Sequence, residues 1–130
     1  MPSPNTGRLY FDLGMKIDNK ILANGDVVII CLPVPVDGVV KSIYLCEDIK
    51  VGAGTIAVQR ARGTNDLSLL TAATYNLATP TANIGTALVL ATAPCLKLLA
   101  GDMLRATWTL TTVGSEDGLG CIVEVEPTVW

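Results

Sequence analysis

The stretch LLAGDMLRATWTLTT, residues 98–112, alternates between two kinds of side chain. The apolar positions are Leu104, Ala106, Trp108 and Leu110, and the polar positions are Arg105, Thr107, Thr109 and Thr111. Because successive strand residues point to opposite faces, the pattern predicts a β-strand entered through a turn at Gly101-Asp102. We expect Trp108 to lie in the core rather than to form a sugar-binding platform. The Thr/Arg face should contact solvent or another subunit and is not expected to be a reaction site.

Turn residues divide the rest of the chain into similar segments, at the spacing of roughly 8–12 residues that is typical of sandwiches and barrels. No segment repeats apolar residues at the period of a helix. The pattern predicts an all-β protein, an antiparallel two-sheet β-sandwich of the jelly-roll or Greek-key type with about eight strands. We expect residues 1–14 to form an N-terminal arm and residues 15–130 to form one sandwich domain.

Single segments give more detailed predictions. Asn24-Gly25 predicts a tight hairpin between two apolar segments. The segment after Asp37-Gly38 predicts a strand that has Val39, Ile43 and Leu45 on one face. Residues 86–99 resume an apolar β pattern, and residues 121–127 predict a final strand with its glutamates pointing outward.

The segment TIAVQRAR, residues 55–62, predicts a strand that begins buried and ends exposed at Arg60 and Arg62. The four cysteines are far apart and lie in apolar runs, which predicts four buried thiols, with a disulfide or a zinc site as the alternatives. These thiols are Cys31, Cys46, Cys95 and Cys121.

The composition indicates a protein that docks to others. Half of the 130 residues are hydrophobic and only 16% are charged, whereas an average domain has roughly 25% charged residues. Residues 67–96 carry no charge at all. Such a surface is more suited to another protein than to water.

The net charge of −3 and the scattered cations argue against a nucleic-acid partner. The prolines and polar residues of segment 67–96 argue against a membrane partner. The first residues lack the apolar segment of a signal peptide, so we expect the protein to mature in a reducing cytoplasm.

The absence of histidine removes the commonest general base and metal ligand. Two adjacent carboxylate pairs, Glu47-Asp48 and Glu116-Asp117, are expected to be solvated turns, with calcium binding or an intersubunit ion pair as alternatives. Asp102 is expected to bond neighbouring amides in its turn. We predict no enzymatic activity, no catalytic residue, no cofactor and no metal.

Several segments occur in a suggestive order, which covers roughly residues 32–127, most of the chain. They are PVPVDGVVKSIYL, VGAGTIAVQRARG, an Ala/Thr-rich stretch with TPTANIGTALVL, LLAGDMLRATWTL and DGLGCIVEVEP. This order resembles small jelly-roll proteins of tailed bacteriophages that decorate capsids. The resemblance implies a virion structural protein, a capsid cement protein that binds the major capsid protein and itself as a homo-oligomer, with a trimer expected. It implies assembly in the host cytoplasm and location on the capsid surface, and it brings no catalytic residues.

We expect the contacts to come from the N-terminal arm, the arginine-bearing strand, one further tyrosine and the C-terminal tryptophan. The predicted interface residues are Pro2, Pro4, Arg8, Tyr10, Arg60, Arg62, Tyr75 and Trp130. The alternative function is a carbohydrate-binding or host-adhesion module on the same fold, which the scarcity of aromatic residues, 5% of the chain, argues against.

Overall fold

The computed structural model describes residues 8–14, 27–47, 53–78, 84–112 and 119–128. These residues form ten strands and one 3-10 helix. No helix among them has the length and apolarity needed to cross a membrane. The strands are β1 (Leu9–Asp12), β2 (Val27–Pro33), β3 (Gly38–Glu47), β4 (Ala53–Arg62), β5 (Asn65–Ser68), β6 (Tyr75–Asn76), β7 (Thr86–Ala87), β8 (Lys97–Leu98), β9 (Met103–Thr112) and β10 (Leu119–Pro127), with the helix at Ala93–Leu96.

The strands form two antiparallel sheets. Sheet A has the order β1-β10-β3-β7, with β8 also paired to β3, and sheet B has the order β2-β9-β4-β5, with β6 also paired to β4. The pairs are nested, since β1 pairs with β10, β2 with β9, β3 with β7, and β4 with β5. Nested pairing divided between two sheets is the topology of a jelly roll. The predicted two-sheet sandwich is therefore confirmed.

The core lies between the two sheets, and β9 supplies its centre. Leu104, Ala106, Trp108 and Leu110 are all fully buried. The Trp108 Nε1–H donates to the Leu13 carbonyl at 3.0 Å, which satisfies the only polar atom of the indole. The alternation in residues 98–112 thus assigned the inner face of β9 and the core position of Trp108 correctly.

The turn before β9 also forms as predicted. Gly101 has φ +94°, a conformation that favours glycine, and its N–H donates to the Val34 carbonyl at 2.8 Å. The Asp102 carboxylate accepts the Leu99 N–H at 2.7 Å. This is the bonding to a neighbouring amide that the sequence predicted for Asp102.

One strand face differs from the prediction. Ile43 and Leu45 are buried as expected, but Val40 is buried with them and Val39 is only half-buried. The cause is an irregularity in pairing: Ser42 lies opposite Glu124 and Val40 opposite Val125, so Lys41 has no partner on β10. An extra residue of this kind reverses the faces on either side of it.

Residues 9–13, which the prediction places in the N-terminal arm, pack on the sandwich. Leu9–Asp12 pair with β10, Leu13 is fully buried, and its N–H donates to the Cys121 carbonyl at 2.8 Å. The apolar residues of this segment therefore complete sheet A. The predicted hairpin at Asn24-Gly25 lies outside the described residues.

The predicted β pattern over residues 86–99 is wrong as a continuous strand. The structure has the two-residue strands β7 and β8, an isolated bridge between Leu70 and Leu90, and the 3-10 helix between them. Pro94 lies in the first turn of that helix, where its missing N–H costs nothing.

The prediction of four buried thiols is correct only for Cys121. Cys31 and Cys46 are exposed because they occupy outward positions of their strands. Cys95 is half-buried. All four are free cysteines. Burial raises the pKa of the Cys121 thiol to about 12.

Replacing Trp108 by alanine should reduce the free energy of unfolding by about 3–5 kcal/mol, because a fully buried aromatic ring leaves a cavity. Urea unfolding followed by circular dichroism measures the change. Tyr44→Ala is the matched control, since Tyr44 is half exposed and its replacement should reduce the free energy of unfolding far less. Equal costs for the two variants would contradict the central role of Trp108.

Candidate functional site

The outer surface of sheet A carries a group of exposed uncharged side chains. The register places Ile122 opposite Tyr44, and Tyr44 opposite Ala87. Tyr10, Tyr44 and Ile122 are 65%, 50% and 37% exposed. We call this surface the tyrosine face and define it by Tyr10, Tyr44, Cys46, Ala87 and Ile122.

Ion pairs border the tyrosine face on one side. Arg8 pairs with Glu124 and lies 3.4 Å from Glu126, and Lys41 lies 3.5 Å from the same Glu126 carboxylate. Arg8 and Tyr10, two of the predicted interface residues, are therefore brought together on sheet A. An apolar centre with a charged rim is the common anatomy of a protein–protein interface.

The outer surface of sheet B contains the polar row of β9. Thr107 and Thr109 are half-buried, and on β2 they face Ile29 and Val27, which are 59% and 55% exposed. We call this surface the threonine face and define it by Val27, Ile29, Cys31, Thr107 and Thr109. Arg105, Thr107 and Thr109 of the polar row of β9 thus lie on the outside of the sandwich, as predicted.

Arg105 is the charged member of that row, and it is paired. Its Nη2 donates to Asp66 Oδ2 at 2.5 Å and to Gln59 Oε1 at 2.8 Å. The threonine face beyond this pair consists of aliphatic, hydroxyl and thiol side chains. It offers shape and apolar area to a partner more than it offers charge.

Arg60 and Arg62 differ in a way that the sequence did not predict. Arg62 is exposed, but Arg60 is 5% exposed, so the prediction that the strand ends exposed is wrong for Arg60. The reason is register: Arg60 lies between Leu104 and Leu67 on the core side of sheet B.

Arg62 forms a two-point contact with Asp102, which is 2% exposed. Its Nε and Nη2 donate to the two carboxylate oxygens, both at 2.7 Å. These hydrogen bonds, together with the Leu99 N–H, hold the pKa of Asp102 below its usual range against the opposing effect of burial. The pair ties the turn before β9 to the end of β4.

Tyr75 is half-buried and packs against the core. It lines a groove of about 340 Å³ between residues 70–75 and residues 87–89. None of the residues that line this groove is charged, and Ala87 connects it to the tyrosine face. Tyr75 therefore shapes the edge of that face and does not project from it.

The remaining predicted contacts, Pro2, Pro4 and Trp130, lie outside the described residues. Sequence reasoning missed the contributions of Tyr44, Ile122 and Ile29. Their signal was present in the alternation, since Ile122 occupies an outward position together with Glu124 and Glu126, which were recognised.

The expectation of a solvated carboxylate pair at Glu47-Asp48 is wrong for Glu47, which is the last residue of β3 and 1% exposed. Asp48, Glu116 and Asp117 lie outside the described residues. Within the described ranges, no group of three or more acidic, cysteine or histidine side chains is placed to hold a metal ion.

Comparison with known proteins gives no match to a family model, to a curated protein or to a solved structure.

Replacing Asp102 by asparagine should destabilise the protein at neutral pH, because the contacts to Arg62 and Leu99 favour the ionised carboxylate. Because the pKa of Asp102 is lower in the folded protein than in the unfolded chain, its carboxylate stabilises the fold at pH values above the unfolded-state pKa of about 3.9. This contribution is lost as the pH falls through the pKa of the folded state. The difference in unfolding free energy between wild type and Asp102→Asn should reach its maximum above about pH 4 and should become smaller in more acid solution.

Urea titrations across this pH range measure the difference. Glu126→Gln, on the exposed surface of sheet A, is the matched control for removal of one negative charge and should have little effect. A difference for Asp102→Asn that does not change with pH would show that its carboxylate charge is not the source.

Proposed function

We propose that this protein is a virion structural protein that decorates and stabilises a bacteriophage capsid by binding between capsid subunits. Its partners are the major capsid protein and further copies of itself, with a trimer as the expected form. The order of sequence segments supports the capsid assignment, and the outer faces of the two sheets support a function in docking.

The observation that carries the proposal is the tyrosine face. Tyr10, Tyr44 and Ile122 are exposed on three adjacent strands of sheet A, in a chain with few charges. Tyr44 lies opposite Ile122, whereas Tyr10 lies opposite Glu124 of the charged rim. Tyrosine is enriched at interfaces because it supplies a large contact area with a polar end. The ion pairs of Arg8 and Lys41 provide the polar rim.

The two faces suit two different partners. An interface of standard size buries about 800 Å² on each partner, which is about a tenth of the 7169 Å² of accessible surface of this chain. One partner can therefore bind each sheet without blocking the partner on the opposite sheet. Interfaces between identical subunits are the more apolar class, which fits the aliphatic threonine face. The tyrosine face, with its charged rim, is the surface assigned to the shell.

The mechanism is mechanical. Each contact adds modest binding energy, and the symmetry of a homo-oligomer multiplies it, since several copies engage neighbouring shell subunits at once. Trp108 is fully buried and is not available to stack on a sugar ring. No described feature favours the alternative of carbohydrate binding over docking.

The test is co-sedimentation with empty shells assembled from the major capsid protein of the same virus. Tyr44→Asp places a charge at the centre of the tyrosine face and should weaken binding to shells more than tenfold while the melting temperature stays close to that of wild type. Thr64→Asp, in the exposed turn between β4 and β5, adds the same charge elsewhere and should bind like wild type.

Wild-type protein that does not bind shells would contradict the proposal. Equal binding by wild type and Tyr44→Asp would contradict the assignment of the tyrosine face. The free thiol of Cys46 gives a second readout, since bound shells should protect it from alkylation.

A further inference from the structure

One end of the sandwich contains a small cavity with basic walls. It has a volume of about 180 Å³ and is lined by Arg60, Arg62, Pro94, Lys97 and Leu99. The arginines come from β4 of sheet B, whereas Lys97 lies on β8, which pairs with β3 of sheet A. Cations from both sheets therefore line the same opening.

Arg60 is the unusual member of this group. The residue is 5% exposed, and its Nε is buried without a hydrogen-bond partner among the described residues. Its Nη2 makes one long contact of 3.5 Å to Asn65 Oδ1. Burial of a guanidinium is costly, so the negative charge of a ligand in the cavity beside Arg60 would offset a penalty already present in the fold.

Arg62 has a donor to spare as well. Its Nε and Nη2 are occupied by Asp102, and its Nη1 makes no hydrogen bond to the described residues. Lys97 is exposed and forms no ion pair within the described part of the chain. All three cationic side chains therefore retain donors for a ligand.

The charge of the cavity favours an anion. Three of its five lining residues are cationic and none is acidic, and Arg62 alone among them pairs with a carboxylate, that of Asp102, within the described part of the chain. The protein as a whole has a net charge of −3. Guanidinium groups bind phosphate and sulfate oxygens with directed, charge-assisted hydrogen bonds. The volume is below the roughly 300–1,000 Å³ of pockets for drug-sized ligands, which suits a compact group.

We propose that this cavity is a binding site for a free tetrahedral oxyanion, phosphate or sulfate, which accepts hydrogen bonds from Arg60 and Arg62 and pairs with Lys97. The ion joins the two sheets at this end of the sandwich and stabilises the folded chain. The site is independent of the docking faces and does not depend on the capsid function.

The experiment is calorimetric titration of the purified full chain with inorganic phosphate and with sulfate, at an ionic strength matched with sodium chloride. Saturable binding of both oxyanions is expected, together with a rise in melting temperature that chloride does not reproduce. Lys97→Gln should raise the dissociation constant at least threefold. Lys41 is an exposed lysine on β3, and Lys41→Gln should leave the dissociation constant unchanged.

Arg60→Met removes the buried guanidinium while keeping an apolar side chain of similar length. This variant should lose oxyanion binding and, without added oxyanion, should be at least as stable as wild type. If Arg60→Met does not fold, the Nε–H resonance of Arg60 in wild type provides the readout, and it should shift on addition of phosphate. Absence of saturable binding, or binding that Lys97→Gln leaves unchanged, would overturn the proposal.

Discussion

The structure depends on burial of the inner row of β9 between the two sheets. Leu104, Ala106, Trp108 and Leu110 lie at the centre of sheet B, between β2 and β4, and they face the inner side chains of sheet A. A shift of β9 by one residue would place Arg105 and three threonines in the core. The alternation of residues 103–112 therefore determines which residues form the core and also which remain on the outside. The hydrogen bond from Trp108 to Leu13 extends this constraint to the N-terminal strand.

The same constraint explains the outer faces. A jelly roll buries one face of each sheet, and the opposite faces must be covered by polar residues or by a partner. This chain has few charges, and those on the described sheets are largely used in local pairs such as Arg8 with Glu124 and Arg105 with Asp66. Uncharged side chains, including exposed tyrosine, isoleucine and valine residues, occupy many of the remaining outward positions. Their exposure on two opposite surfaces is the basis of the proposed docking function.

The sequence predicted the features that depend on local alternation, and it missed those that depend on register between distant strands. The sandwich, the two faces of β9 and the core position of Trp108 follow from residues that are close in the chain. The burial of Val40 instead of Val39 follows from the pairing of Lys41 against β10, which local sequence does not contain. Arg60 was expected to be exposed as a charged residue, but its position opposite Leu104 places it on the core side.

The candidate surfaces show the same limit. Tyr10 was predicted as a contact, but the other members Tyr44, Ala87 and Ile122 come from three other strands. They meet only after β10 and β7 have paired with β3. The basic cavity likewise joins β4 to residues 94–99, more than thirty positions away in the chain. Arg60 and Arg62 were recognised as a pair, whereas Lys97 had no signal in the sequence that linked it to them.

Equilibrium sedimentation of the purified protein tests most directly whether the exposed apolar faces are docking surfaces. We expect a homo-oligomer that dissociates on dilution, and a folded monomer for Ile29→Asp, which places a charge in the middle of the threonine face. Wild-type protein that remains a monodisperse monomer at every concentration would contradict this expectation.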